Sequence, residues 1–199
     1  MSKREIVYQK REMVYLKRGI LHSKRGILQQ SPQYPESGAV YLTGTENVTI
    51  ERCAFKYLEG NGVFVAGYNR NLSITYTELT HIGDSPIALW GFTEGDDPLQ
   101  PPGTGIDGSK GLQPRGVRIH QNLCHNYGFH QKQSSCVFIA KSVGVDMTEN
   151  VAFNGARAHI NQNDAFGMGH RLARNVMWSS CRESSDHGVF NSWNRQVRF

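Results

Sequence analysis

Short runs of alternating apolar residues recur along the chain from Gly38 onward, and glycine, asparagine, aspartate and serine separate them. β-Branched and aromatic residues dominate these runs, as they do in β-strands. No extended window in this region repeats its apolar residues with the 3.6-residue period of a helix. The pattern therefore predicts an all-β fold of short strands, with clear examples at Val40–Leu42, Val63–Val65, Ile87–Leu89 and Val137–Ile139.

The runs belong to a longer repeat with a period of about two dozen residues, which is typical of stacked-repeat proteins. Its anchors read Asn47-Val-Thr-Ile, Asn71-Leu-Ser-Ile, Gly116-Val-Arg-Ile and Gly144-Val-Asp-Met, with a weaker echo at Arg171. Three short strands in each unit, with no helix between them, predict a parallel β-helix. We expect five to six turns in an incomplete stack, because the chain stops as a further turn begins.

A polar residue follows each anchor at the same distance. Stacked asparagines there can bond from rung to rung, because neighbouring strands lie about 4.8 Å apart. Surface turn residues are the alternative for each of them. The series is Cys53, Thr77, Asn122, Asn150 and Asn175.

The first 34 residues follow a different rule. From Lys3 to Gln30 a basic heptad repeats as KREIVYQ, KREMVYL, KRGILHS and KRGILQQ. These residues carry a charge of +6, whereas the net charge of the whole chain is +5. The remainder therefore balances near −1 and gives no electrostatic reason to expect nucleic acid. Binding to anionic surfaces and a coiled coil are alternatives for the heptads. We predict a disordered or artefactual leader over residues 1–34 and a β-helix domain over 35–199.

No apolar run follows the basic start, so the chain shows no secretory signal, and no stretch is long enough to span a membrane. The four cysteines are widely spaced without a CxxC pair, which argues against zinc and favours buried thiols. Oligomeric state and compartment are left open by these patterns.

A long segment rich in glycine, proline and aspartate interrupts the repeat over residues 91–115. Loops of this length inside a regular stack are usually functional walls or lids. Its acidic residues Glu94, Asp96, Asp97 and Asp107 are possible calcium ligands, although solvated loop charges are the simpler interpretation. We expect no other cofactor or metal.

The densest chemistry lies in the last third of the chain, which reads GARAHINQNDAFGMG over residues 155–169 and CRESSDHGVFNSWNRQ over residues 181–196. These segments resemble a pattern close to GPRAGINxNDGFGGG followed by CRExxDHGPFNSWDRQ in right-handed parallel β-helix proteins of the pectin-lyase-like superfamily. The resemblance implies a right-handed coil, carbohydrate chemistry of the fucosidase or xylanase type, and an extracellular setting. Asn194 replaces an aspartate of that pattern.

Crowded amides, charged groups and an indole suit a sugar, because polar groups can fork onto hydroxyls and an aromatic ring can stack on a pyranose. We therefore predict a polysaccharide or oligosaccharide partner. The predicted substrate-binding residues are Arg157, His159, Asn161, Asn163, Arg182, His187, Asn191, Trp193 and Arg195.

A glycosidase needs two carboxylates about 5 to 9.5 Å apart. Asp164 and Asp186 are the predicted pair, because their separation is close to one turn of the stack. Aligning Ile160 with Val189 would instead put them at opposite ends of neighbouring strands. Two alternatives stay open beside hydrolysis, namely a non-catalytic glycan-binding or decayed fragment, and a polysaccharide lyase using Lys132, Lys141 or Arg157.

Overall fold

The structure is a computed structural model that describes residues 38–94, 107–163, 167 and 169–193, together with the backbone of 7–8, 15–17 and 20–22. Within these ranges the protein consists of strands and turns, without a helix. In chain order the strands are β1 (Val7–Tyr8), β2 (Tyr15–Lys17), β3 (Ile20–His22), β4 (Gly38–Glu46), β5 (Thr49–Glu51), β6 (Ala54–Leu58), β7 (Asn61–Arg70), β8 (Ser73–Thr75), β9 (Glu78–Ile82), β10 (Ile87–Trp90), β11 (Pro114–Arg115), β12 (Arg118–His120), β13 (Leu123–Tyr127), β14 (Val137–Ala140), β15 (Asp146–Thr148), β16 (Val151–Gly155), β17 (Ile160–Gln162), β18 (Arg171–Ala173), β19 (Val176–Trp178) and β20 (Phe190–Ser192).

The strands form three parallel sheets, and the chain visits them in a fixed rotation, as in a parallel β-helix. Sheet A has the order β1-β4-β7-β10-β14-β17-β20, with β11 paired to β7. Sheet B has the order β2-β5-β8-β12-β15-β18, and sheet C has the order β3-β6-β9-β13-β16-β19. The predicted all-β class and the predicted stacking of successive turns are confirmed.

The core is a set of apolar columns that run along the stack. In sheet B, Ile50 pairs with Ile74, Ile74 with Ile119, and Ile119 with Met147, and all four side chains are buried. Burying one such side chain contributes about 1.5–3 kcal/mol. Because side chains alternate between the faces of a strand, the same register leaves the neighbouring positions outside the coil.

Residues with left-handed backbone conformation mark the same turn in successive rungs. Between sheets A and B, Asn47, Asn71, Gly116 and Gly144 have φ between 54° and 66°. Asparagine and glycine tolerate this conformation better than other residues do. The repeated anchor in the sequence is therefore the entry into each sheet B strand.

A ladder of amide side chains connects the rungs between sheets B and C. The Asn150 Oδ1 accepts bonds from the backbone N–H and the Nδ2 of Asn122, each at 3.0 Å. The Asn150 Nδ2 donates to the carbonyls of Ile119 and Thr148 and to the Asn175 Oδ1. Because buried backbone groups need partners, these bonds fix the turn, and the rung-to-rung ladder predicted from the spacing is present.

The described residues of the leader belong to strands. Eight of its residues form β1, β2 and β3, which pair in parallel with β4, β5 and β6. Each leader strand includes adjacent apolar residues, which suits a strand better than a helical stripe. The other leader residues lie outside the described part, and a domain boundary at residue 35 stays a prediction.

The expectation of four buried thiols is confirmed for Cys53 and is wrong for the other three cysteines. Cys124, in β13, and Cys136, directly before β14, form a disulfide with their Cα atoms 6.1 Å apart. Cys53 is a buried thiol, and Cys181 is a half-buried one. The sequence separation of Cys124 and Cys136 did not indicate that sheets C and A bring the two residues together.

The described ends of the 91–115 insertion pack beside sheet A. Glu94 and Asp107 form an antiparallel bridge, and the Lys110 ammonium lies 2.6 Å from the Glu94 carboxylate. Asp107 accepts a hydrogen bond from the Ser109 N–H. Asp96 and Asp97 lie outside the described residues, so calcium binding by this loop stays a prediction.

Candidate functional site

The segments that lead from sheet C back to sheet A lie one above another, and we call this edge of the coil the C–A corner. Its segments are residues 59–60, 83–86, 128–136, 156–159 and 179–189. Two of them, 128–136 and 179–189, are much longer than the others and flank the short one that carries Arg157. They are called the first and second corner loops.

Arg157 ties the two corner loops together from below. Its side chain is buried, with 9% of the residue exposed. The guanidinium donates to the Gln133 side-chain oxygen in the first loop and to the Asp186 carboxylate in the second, the latter at 2.9 Å. It also donates to the His187 Nε2, which therefore acts as the acceptor. The predicted residues Arg157, Asp186 and His187 are thus brought together.

A second ion pair joins the same loops nearer the surface. The Lys132 ammonium lies 2.5 Å from the Glu183 carboxylate, and it also donates to the Gly128 and Phe129 carbonyls. Beneath it the second loop is bonded to the turn below, since the Glu183 N–H donates to the Ala156 carbonyl. The two loops therefore form one supported surface.

Asp186 is held in its ionised form at this surface. The Ser184 hydroxyl and then the Arg157 guanidinium donate to it, and these bonds lower the pKa of the Asp186 carboxyl. Its side chain remains 56% exposed. An exposed carboxylate with a lowered pKa can accept bonds from sugar hydroxyls or act as a base or nucleophile, but it is a poor proton donor at neutral pH.

Replacing Ser184 by alanine is expected to raise the pKa of Asp186 toward the ordinary value of about 3.9, because it removes the largest cause of the shift. NMR titration of the Asp186 carboxyl carbon measures this pKa. Ser185→Ala, at the exposed neighbouring position, is the matched control and leaves the pKa unchanged. Equal pKa values in the two variants would contradict the assigned hydrogen bond.

In the wild type, the pairing of Asp186 stabilises the fold above about pH 3.9 and is lost as the pH falls through the lower folded-state pKa.

A row of rings that sequence reasoning missed ends at the same corner. Tyr57 lies 4.8 Å from His81 between ring centroids, and His81 stacks on Phe129 of the first corner loop at 5.8 Å. Tyr57 is 62% exposed and Phe129 is 47% exposed. The recurrence of planar side chains one turn apart, at Tyr57 and His81, was the available signal. The corner therefore combines polar groups with accessible rings.

His159 lies beneath this surface instead of on it. Its Nε2 donates to the Trp178 carbonyl at 2.7 Å, and its Nδ1 accepts from the Tyr127 hydroxyl. Burial lowers the pKa of His159, which agrees with the neutral form that this bonding requires. With both nitrogens occupied and no exposed surface, His159 supports the corner, and this geometry gives no support to its predicted contact with substrate.

The remaining predicted binding residues lie farther along sheet A. Asn161 is buried, and its Oδ1 accepts a 2.7 Å bond from the Asn191 Nδ2 in the neighbouring strand. Asn163 and Trp193 follow the carboxyl ends of β17 and β20, where the Trp193 residue is 61% exposed. Arg182 is exposed in the second corner loop. Arg195 lies outside the described residues.

The strand register bears on the predicted catalytic pair. Ile160 pairs with Phe190, so Asp186 precedes β20 at the C–A corner. Asp164 comes after the end of β17 in the chain, and it lies outside the described residues together with Asn194. Of the two predicted aspartates, the structure therefore locates Asp186. Their pairing as catalytic acids stays a prediction.

Asp84 also lies at this corner, and its pKa is shifted in the opposite direction to that of Asp186. Burial raises its pKa, and the Ser85 hydroxyl donates to it at 3.2 Å. Asp84 precedes β10, however, and Asp186 precedes β20, which lies three strands away in sheet A. Three spacings of about 4.8 Å give about 14 Å, which exceeds the 5 to 9.5 Å of a glycosidase pair. Asp84 and Asp186 therefore do not form such a pair.

Other kinds of site find less support in the described ranges. These residues include no group of three or more histidine, cysteine or acidic side chains placed to hold a metal ion. Nor do they form a helix with the length and apolar character that crossing a membrane requires.

Comparisons with known proteins give little further information. No family model matches the chain, and no curated protein does. One solved structure, described as "Glycoside hydrolase", aligns with a TM-score of 0.45 and 13% identity over 80% of this chain and 34% of that one. The chain thus spans about a third of the length of that structure. A similarity this weak does not indicate the function of this chain.

Proposed function

We propose that this protein binds a polysaccharide or oligosaccharide at the C–A corner. The observation that carries the proposal is the buried Arg157, which holds Gln133, Asp186 and His187 of two surface loops in one bonded group. Binding surfaces that are already ordered lose less entropy when a ligand arrives. The arrangement is that of a preformed polar surface.

The chemistry of this surface suits sugar hydroxyls. Asp186 is a pure acceptor and the exposed Gln133 amide offers a donor and an acceptor, whereas Lys132 and Arg157 donate to protein groups and hold these two in place. Phe129 adds an accessible ring edge or face at the rim of the same loop, and apolar faces of pyranose rings pack on such rings. Nearly balanced charge across the loops favours a neutral glycan over a highly charged one.

We further propose that the coil is right-handed, with five to six turns, and that the chain is related to the pectin-lyase-like superfamily. A parallel strand–connection–strand unit is right-handed in nearly all proteins. The resemblance of residues 181–196 to that superfamily supports the assignment.

Glycoside hydrolysis is the second candidate, and the ionised Asp186 favours it. Asp186 would act as the nucleophile or as the base that activates water. The sequence-based choice of proton donor is Asp164, which lies outside the described residues. A non-catalytic protein needs no such donor, so binding is the more economical proposal.

A panel of plant, algal and animal polysaccharides tests these candidates with three readouts. Titration calorimetry reports binding, reducing-sugar release reports hydrolysis, and absorbance near 235 nm reports β-elimination by a lyase. We expect binding by the wild type and about a tenfold weaker affinity for Asp186→Asn, equivalent to about 1.4 kcal/mol. Asp146→Asn is the matched control, because Asp146 also pairs with an arginine but lies on sheet B.

Loss of affinity in both variants, or in neither, would exclude binding through Asp186. Reducing-sugar release that Asp186→Asn abolishes would establish hydrolysis in addition to binding. A signal near 235 nm would instead place the protein with the lyases. Failure of the wild type to bind any member of the panel would overturn the proposed function.

A further inference from the structure

The Cys124–Cys136 disulfide encloses the first corner loop. Cys124 lies in β13 on the inner side of sheet C, and Cys136 directly precedes β14 of sheet A. The residues between them include Phe129, Lys132 and Gln133, which supply this loop's part of the surface described above. Both sulfur-bearing residues are buried, with 0% and 2% exposure.

Hydrogen bonds to the corner segment below hold the rest of the loop. The His130 and Gln131 N–H groups donate to the Gly83 carbonyl, and the Ser135 N–H donates to the Ser85 hydroxyl. The hydroxyls of Ser134 and Ser135 are buried, and among the described residues they meet no hydrogen-bond partner. A longer loop loses more entropy when it is ordered, so a covalent closure contributes more at this segment than it would at the short segments 59–60, 83–86 and 156–159.

We infer that the Cys124–Cys136 disulfide positions the binding surface, and that the protein acquires this surface only after oxidation. The bridge fixes both ends of the first corner loop, so that Gln133 meets Arg157 and Lys132 meets Glu183. Cys124 and Cys136 act here as positioning residues and do not contact the glycan.

Formation of the bridge needs an oxidant. The two thiols lose two protons and two electrons as the S–S bond forms, and a disulfide such as oxidised glutathione takes them up to become two thiols. Disulfides of this kind form and persist in oxidising compartments. Because the finished bridge is buried, we expect the folded protein to resist mild reductants.

A peptide map of the native protein tests whether the bridge exists. Trypsin cleaves after Arg118, Lys132 and Lys141, so a bridged protein gives the peptides 119–132 and 133–141 as one linked species that separates on reduction. Protein refolded with oxidised and reduced glutathione is alkylated before digestion. Recovery of both cysteines as alkylated thiols would overturn the inference.

The positioning role is tested by Cys124→Ala/Cys136→Ala, with Cys53→Ala as a control for loss of a buried thiol. We expect amide hydrogen exchange over residues 128–136 to become about tenfold faster in the double variant only. We also expect about a tenfold loss of glycan affinity, and that readout alone rests on the proposed function. If residues 128–136 exchange at the same rate in a bridged wild-type protein and in the double variant, the positioning role is refuted, whether or not a glycan binds. If the double variant fails to fold, exchange in wild-type protein refolded under reducing conditions replaces it, with the same two outcomes.

Discussion

Replacing Asn150 by alanine is expected to lower the free energy of unfolding by about 4 kcal/mol. The change leaves the buried Asn122 N–H without its acceptor and deprives the Ile119 and Thr148 carbonyls of a donor. Each buried polar group that loses its partner costs about 1–3 kcal/mol. Urea unfolding followed by circular dichroism measures the loss.

Asn154→Gly is the matched control for this variant. Asn154 lies in strand β16 of sheet C with a φ of 54°, and its side chain donates one bond to Asn126. Glycine adopts that conformation without strain, so we expect a loss of about 1 kcal/mol. If the two variants lose similar amounts of unfolding free energy, the buried ladder does not stabilise the coil more than the single side-chain bond of Asn154 does.

Replacing Arg157 by alanine is expected to release both corner loops while most of the coil stays folded. The charged bonds to Asp186 and Gln133 disappear together with the packing of a buried side chain. Because Asp186 is largely solvated, we expect a stability loss of only about 2 kcal/mol. Amide exchange in residues 128–136 and 179–189 is expected to become about tenfold faster, and glycan binding is expected to be lost.

Arg174→Ala provides the comparison for Arg157→Ala. Arg174 also bonds a carboxylate, that of Glu149, but its side chain is 60% exposed and lies in the turn between sheets B and C. Exposed pairs of this kind contribute less than about 1 kcal/mol. Loops that exchange equally fast in the Arg157→Ala and wild-type proteins would refute the role of Arg157.

The strand pattern was predictable because each turn repeats the same local rules. Alternation identified sheet A strands such as Val63–Val65, and the spacing of Asn122, Asn150 and Asn175 predicted their ladder. Both features depend on contacts between residues one period apart, and the repeat in the sequence shows which residues these are. The heptad period of the leader differs from that of the coil, so the coil repeat gave no basis for assigning strands β1, β2 and β3.

The site was less predictable because loops of unequal length build it. Asp186 and His187 stood out by composition, but their link to Gln133 through Arg157 depends on how two long loops fold over a shorter turn. The crowding of polar residues likewise placed His159 among the predicted binding residues, whereas in the structure its side chain is buried and donates to the Trp178 carbonyl. The place of Asp186 at the C–A corner also became clear only from the strand register.

Hydrogen–deuterium exchange with and without a bound glycan tests the location of the site most directly. With a glycan taken from the polysaccharide panel at saturating concentration, we expect slower exchange in residues 128–136 and 179–189 and unchanged exchange in the sheet B strands β12 and β15. Protection confined to sheet B, or spread evenly over the coil, would contradict a sugar site at the C–A corner.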